Sequence, residues 1–402
     1  MQLDVDVATT LLLAILVLLV GRLIVSRVAV LNRYSIPDPV VGGVIAALLI
    51  TALRIGGDVR IAFDTSLQGT LLLAFFSTIG LSADVRMLAR GGARLLVLLA
   101  VVVVFLILQN GLGVAVASAL DMHPLYGLLA GSITMSGGHG TGAAYGKLFG
   151  EVNNLQGSME LAMAAATFGL VMGGIVGGPT AERLIRRHRL QPVQAAATAG
   201  SPGELGPAET RPLEPASFFR TLALVLLCVA VGSWLAGVVH IPWFTLPTFV
   251  WCLVTGIVVC NVLGLSGAYR VETPPLDFIG TVSLSLFLAM ALMTLKLWEL
   301  VGLALPMLLI LALQTILTVS YATFVTFPAM GRSYDAAVIA AGQCGFGLGA
   351  TPTAIANMQA VTGRHGPSPL AFLLVPIIGA FLIDIANALV IQGYLALPWL
   401  GF

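Results

Sequence analysis

The feature that most constrains this chain is the run "LLVLLAVVVVFLILQNGLGVAVASAL", Leu95 to Leu120, in which no residue carries a charge. About 20 apolar residues in a helix, each rising about 1.5 Å, cross the hydrocarbon core of a bilayer. A run this long belongs in lipid. Nine others share its character, giving ten expected spans at about 8–30, 39–54, 67–83, 94–119, 158–180, 217–239, 246–263, 276–295, 300–328 and 369–398. Composition agrees: 58% of residues are hydrophobic and 9% charged, against about 25% charged in a soluble domain. The expected class is an all-α polytopic membrane protein embedded in the lipid bilayer.

The opening "MQLDVDVATT" lacks a basic n-region and a small-residue cleavage site, so the first run is expected to be a retained span. Cys228, Cys252, Cys260 and Cys344 have spacings that suit neither zinc nor a disulfide framework, and each is expected to pack as a small apolar residue. No basic groove or aromatic stacking pattern points to nucleic acid.

Two stretches resist assignment as spans, about 124–148 and 334–360, because glycine and polar residues interrupt them. A third, "QPVQAAATAGSPGELGPAETRPLEPA" at 191–216, has no hydrophobic periodicity and is expected to be a flexible cytoplasmic linker. It separates a first repeat, 1–190, from a second, 217–402. At a shift of about 210 residues, "IPDPVVGGVIAALL" from Ile36 falls on "LPTFVWCLVTGIVV" from Leu246. Likewise "LLAGSITMSGGHGTGAA" falls on "IAAGQCGFGLGATPTAI", and "FGLVMGGIVGG" falls on "IGAFLIDIANA". Each half then holds five spans and one glycine-rich hairpin. If each hairpin enters and leaves on one side, the odd number of spans inverts the second half relative to the first. With both termini outside, only Arg54, Arg60, Lys147 and Lys296 of the 19 basic residues face outward, which satisfies the positive-inside rule. The fold expected is two inverted-topology repeats of five transmembrane helices, each with a re-entrant hairpin.

Irregular backbone at membrane depth survives only when buried in protein or facing a polar cavity. Paired breaks in inverted halves point to a transporter's central binding site. Thr351 followed by Pro352 reads as a hydroxyl N-cap with proline at the first helical position, and Thr141 sits at the equivalent turn of the first hairpin. Free N–H groups and partial positive charge at a helix N-terminus suit a carboxylate. Asn357, two turns into the second returning limb, is a further substrate candidate. Carbonyls freed by glycines such as Gly345 and Gly347, with Thr134 and Ser136, suit a hard cation such as Na⁺. Asp384 is the one acid well inside a span, and Asn387 lies three residues on, on the same helix face. Both are expected to ligate a coupling cation. Gln109, Asn110 and Gln314 either face the hairpin tips or bond between helices. His139, with no second histidine nearby, is expected to be a hydrogen-bonded tip residue.

At these motifs the chain resembles the bacterial sodium/glutamate symporter family. The resemblance rests on "LLAGSITMSGGHGTGAA", "AGQCGFGLGATPTAIANMQA" and "VSLSLFLAMALMTLKLWELVGLALPMLLILALQTI", and it fails only in the linker. It implies an inner-membrane carrier, not an enzyme, that couples L-glutamate uptake to Na⁺ as a homodimer. The movement expected is alternating access of an elevator-like kind, both hairpins and the spans after them shifting as a unit against a dimerising scaffold. Family function carries over to Ser136, Gly137, Gly138, His139, Gly140, Thr141 and Gly142, and to Gly345–Thr353, with Gly349, Thr351 and Thr353 as substrate candidates. A cation/proton antiporter using Asp384, or a carrier of another small anion, is the alternative.

Overall fold

The computed structural model describes residues 2–29, 31, 36–57, 60–84, 86–192, 214–239, 246–267, 269–295 and 304–397. Most of the expected linker, and the basic residues Arg33, Arg211 and Lys296, lie outside them. The chain is helical, with one small addition that the sequence did not announce. Strand β1 (Gln2–Val5) pairs in parallel with β2 (Arg60–Phe63), tying the start of the first span to the loop after the second.

In chain order the first half holds α1 (Val7–Arg27), α2 (Asp38–Gly57), α3 (Ser66–Leu81), α4 (Arg86–Ala119, broken at Gly92), α5 (Pro124–Leu128), α6 (Gly138–Val152) and α7 (Ser158–His188). The second half holds α8 (Pro215–Val238), α9 (Thr248–Ser266), α10 (Thr273–Met293), α11 (Ala304–Tyr321), α12 (Tyr334–Leu348), α13 (Thr351–His365), α14 (Pro369–Ile377) and α15 (Ile383–Leu395). Among the described residues, each of the ten expected spans falls on helix, and 7 helices are long and apolar enough to cross a membrane. Ser66–Leu81 is shorter, and the last span is interrupted between α14 and α15. Three π-helical segments break the helical ladder, at Leu129–Ile133, Ala322–Thr326 and Ile378–Leu382.

The helices sort into two groups by their contacts. One joins the leading helices of both halves: α3 packs on α9 and α10, α2 on α1 and α10, and α8 on α9. The other joins the trailing helices: α7 packs on α6, α12 and α13, while α4 packs on α5, α11 and α15. Small residues permit close approach where lipid supplies no hydrophobic drive between helices. Gly345 shows this best, since a Cβ there would lie 2.4 Å from Ala354 Cα. Lipid-facing surface is apolar, with Leu12, Leu16 and Leu19 on α1 exposed; only 17% of that span is buried, against 61% of α10.

Candidate functional site

The site is built where the two glycine-rich segments break. In the first, α5 runs into the π segment, whose Gly131 has non-helical dihedrals (φ −87°, ψ −141°). The chain then turns, and α6 starts at Gly138 with φ +63°, a left-handed conformation that L side chains adopt only at a cost. In the second, α12 stops at Leu348, Gly349 and Ala350 are non-helical, and α13 starts at Thr351.

The outer ends of each segment are held together. Tyr126 Oη donates to the Gln156 carbonyl at 2.6 Å, spanning the first. Tyr334 Oη donates to the Gly366 carbonyl and Ser368 Oγ to Asp335 Oδ1, both at 2.5 Å, spanning the second. The breaks meet each other. Gln109 on α4 donates through Nε2 to the Gly347 carbonyl and accepts through Oε1 from Ser136 Oγ, both at 2.7 Å. Ser136 lies 3.4 Å from the same carbonyl, 211 residues away in sequence. A Cβ on Gly138 would lie 3.4 Å from the Gly349 carbonyl. Asn110 Oδ1 accepts from the Ser132 amide at 2.8 Å, and Gln314 Nε2 donates to the Gln109 carbonyl at 2.7 Å. So Gln109 bridges both breaks, Asn110 serves the first, and Gln314 bonds between helices.

A cavity of about 560 Å³ opens beside this junction, between the two helix groups. Such a volume is ordinary for a small-molecule site. The trailing group contributes Ser136–Thr141, Gly349–Pro352, Gly379 and Asp384; the leading group contributes Pro37–Pro39, Phe75, Ile79, Leu284, Ser285 and Leu288. The first turns of α6 and α13 both border it, and their leading N–H groups have no partner within their helices. Asp384, Thr141 and Ser285 make no side-chain hydrogen bond among the described residues, so their oxygens are available to a guest. His139 is committed. Thr167 Oγ1 donates to the Met163 carbonyl at 2.8 Å, so at 3.0 Å it accepts from His139 Nε2–H.

Of the residues singled out in the sequence, Ser136, Gly137, Gly138, His139, Gly140, Thr141, Gly349, Thr351 and Asp384 line this cavity. The others sit elsewhere. Thr351 does not cap α13: Ala350 is the N-cap, and the Thr351 hydroxyl donates to the Gly379 carbonyl at 2.5 Å. The reason is the π segment after α14, which brings that carbonyl within reach. Thr141 likewise lies within α6, not at its turn. Gly142 faces Thr134 Cγ2 and Ala162. Thr353 is buried with its hydroxyl unpartnered. Asn357 donates to the Gly173 carbonyl at 2.9 Å and the Ala341 carbonyl at 3.3 Å, joining α13 to α7 and α12.

The six cation candidates do not form one shell. Thr134 donates to the Leu129 carbonyl at 2.6 Å, the Gly345 carbonyl accepts from Ala350 N at 3.1 Å, and the Gly347 carbonyl is held by Gln109. Asn387, off the cavity, donates to the Ser132 carbonyl at 3.0 Å. Its own Oδ1 and Ser132 Oγ are buried without a hydrogen-bond partner. Among the described residues there is no cluster of three or more His, Cys, Asp or Glu able to hold a metal.

Sequence reasoning missed Phe75, which a Cβ on Gly140 would approach to 2.6 Å, and Ser285, Gly379 and Ser132. It also missed Asp38, although the Pro37-Asp38-Pro39 triplet, rigid and acidic before an apolar run, was a usable signal.

These features define a class: a polytopic helical membrane protein with a cavity of mixed polar and apolar lining at the meeting point of two broken segments. A family model described as sodium/glutamate symporter matches residues 3–367. Curated relatives bear the same name. That of Escherichia coli (strain K12) is 52% identical over 98% of both chains, and that of Haemophilus influenzae is 48% identical over 95% of both. The chain belongs to the sodium/glutamate symporter family.

Proposed function

We propose that this protein is a secondary active transporter that brings L-glutamate into the cell together with Na⁺. The observation that carries the proposal is the near-full-length identity to relatives named as sodium/glutamate symporters. The cavity agrees with it. Two helix N-termini offer N–H groups to the substrate's carboxylates, with Thr141 and Ser285 as added hydroxyls. Na⁺ is the second cargo, held by Asp384 and Asn387 with Ser132 in addition. A second assignment for Asp384 is favoured by its place on the cavity wall: there it pairs with the substrate's ammonium, leaving Na⁺ to Asn387 and Ser132.

The two broken segments are re-entrant hairpins, one from each face of the membrane, in halves of inverted topology. Contacts between equivalent positions support this, since a two-fold axis brings related residues such as Gly138 and Gly349 together. Both termini face the periplasm of the inner membrane. Movement is elevator-like, the trailing helices of both halves shifting as one body against the leading helices, in a homodimer.

The test is uptake of labelled L-glutamate into proteoliposomes under an inward Na⁺ gradient, with K⁺ replacing Na⁺ as control. Accumulation only with Na⁺ supports the symporter; equal accumulation under both conditions refutes the coupling. For Asp384→Asn, a raised requirement for Na⁺ at fixed glutamate assigns the carboxylate to the ion, whereas a raised KM for glutamate assigns it to the ammonium. Energetics predict more than one Na⁺ per glutamate. A tenfold gradient supplies about 1.4 kcal/mol per ion and each net charge crossing 100 mV about 2.3 kcal/mol. One Na⁺ supports about tenfold accumulation and two support several thousandfold. Uptake without current would refute the higher ratio.

A further inference from the structure

A second cavity has no part in the site described above. It measures about 430 Å³ and lies where the end of α7 meets the end of α11. Three cations line it: Arg183 and Arg187, one turn apart on α7, and Arg332, which follows α11. No acidic residue lines it. Arg186, on the same turn of α7, is instead matched by Glu182, with Nε 2.6 Å from Oε1. Arg183, Arg187 and Arg332 have no ion pair among the described residues.

The position of Arg332 is specified by the backbone. Gly331 (φ +94°) and Arg332 (φ +51°) both adopt left-handed conformations. The Arg332 amide donates to the Phe327 carbonyl at 3.1 Å, closing a turn over the end of the apolar span Ala304–Ala329 that α11 begins. A left-handed arginine is sterically disfavoured, and here it places a third positive charge on a wall shared with two others. The π segment Ala322–Thr326 gives no residue to the central cavity, and two of its residues, Thr323 and Phe324, line this one. Phe324 is 73% exposed, and Ile316 and Val325 on the same helix are exposed as well. Polar recognition and an apolar, lipid-facing path therefore adjoin at one spot.

Because Arg183, Arg187 and Arg332 stand at the ends of two apolar spans, the cavity lies at headgroup depth. We propose that it holds the phosphate headgroup of an anionic phospholipid, with the acyl chains lying along the Phe324 face. Charge complementarity excludes a zwitterionic headgroup as the preferred occupant, and the exposed apolar path favours a lipid over a free anion. Bound there, the headgroup joins α7 to α11, two helices that both pack on α12 of the second broken segment.

The experiment uses the full chain in detergent, titrated with phosphatidylglycerol, phosphatidylcholine or inorganic phosphate. Readouts are thermal unfolding and retained lipid by native mass spectrometry. Phosphatidylglycerol is expected to bind and raise Tm, with phosphatidylcholine and phosphate much weaker. Each of Arg183→Gln, Arg187→Gln and Arg332→Gln is expected to weaken phosphatidylglycerol about fivefold. Arg186→Gln, on the same helix but outside the cavity, is expected to change it less than about twofold. The variants' Tm in phosphatidylcholine reports whether they fold. Equal effects of the two lipids, or a folded triple variant that keeps its phosphatidylglycerol, would overturn the proposal. Inorganic phosphate matching the lipid would replace the lipid with a free anion.

Discussion

The two broken segments share a sequence pattern and a place at the cavity, yet they are built differently. The first is loosened by a π segment and a left-handed glycine, and it gives six consecutive residues, Ser136–Thr141, to the cavity wall. The second is a tight alanine-rich pair: every residue of α12 except Asp335 is buried, and only Gly349–Pro352 and Phe346 reach the cavity. Equal motifs have been spent on unequal tasks. The first segment supplies more of the cavity wall, and the second is the more fully buried.

The largest expected effect tests the wall that both segments share. Asp384→Asn should lower Na⁺-dependent glutamate uptake at least about a hundredfold, because losing the charge of a half-buried carboxylate that binds an ion or ammonium costs about 3–5 kcal/mol. Uptake per folded protein is the readout, and activity within tenfold of wild type would remove Asp384 from the site. Next come the glycines. Gly345→Ala should lower Tm, since its Cβ meets backbone at 2.4 Å and overpacking costs about 1–3 kcal/mol. Gly138→Ala meets no close neighbour, its nearest contact being 3.4 Å away, but it forces alanine to φ +63° at a cost of about 1–2 kcal/mol, so it should lower Tm no more than Gly345→Ala while impairing uptake more. If the two variants traded places, the division of tasks would be reversed.

The smallest effects come from a threonine in each segment. Thr141→Ala should raise the KM for glutamate about fivefold to tenfold, the worth of one hydrogen bond. Thr353→Val should leave KM unchanged and hold or raise Tm, because its buried hydroxyl has no partner to lose. A rise in KM for Thr353→Val alone would put the second segment, not the first, against the substrate.

Much of this was legible in the sequence because hydrophobic length and glycine content are local signals. Apolar runs located the helices, and glycine with polar residues located both breaks. The isolated Asp384 pointed to the cavity because a lone acid in a span needs a reason. What stayed hidden depends on contacts distant in the chain. No local pattern tells that Thr351 meets Gly379, 28 residues away, or that Asn357 is held by Gly173, 184 residues away. The π segments were equally unreadable, since one extra residue in a helical turn leaves the hydrophobic period almost unchanged.

The bond from Gln109 to Gly347, with Ser136 on its other end, has a mechanical consequence. Drawing the two breaks apart would strand a buried amide, a hydroxyl and a carbonyl away from water, each at a cost of about 1–3 kcal/mol. Three such losses exceed what one ion's tenfold gradient delivers, about 1.4 kcal/mol. The junction therefore acts as a rivet, and any displacement that exposes the cavity to the other side of the membrane must carry both breaks and α4 with it.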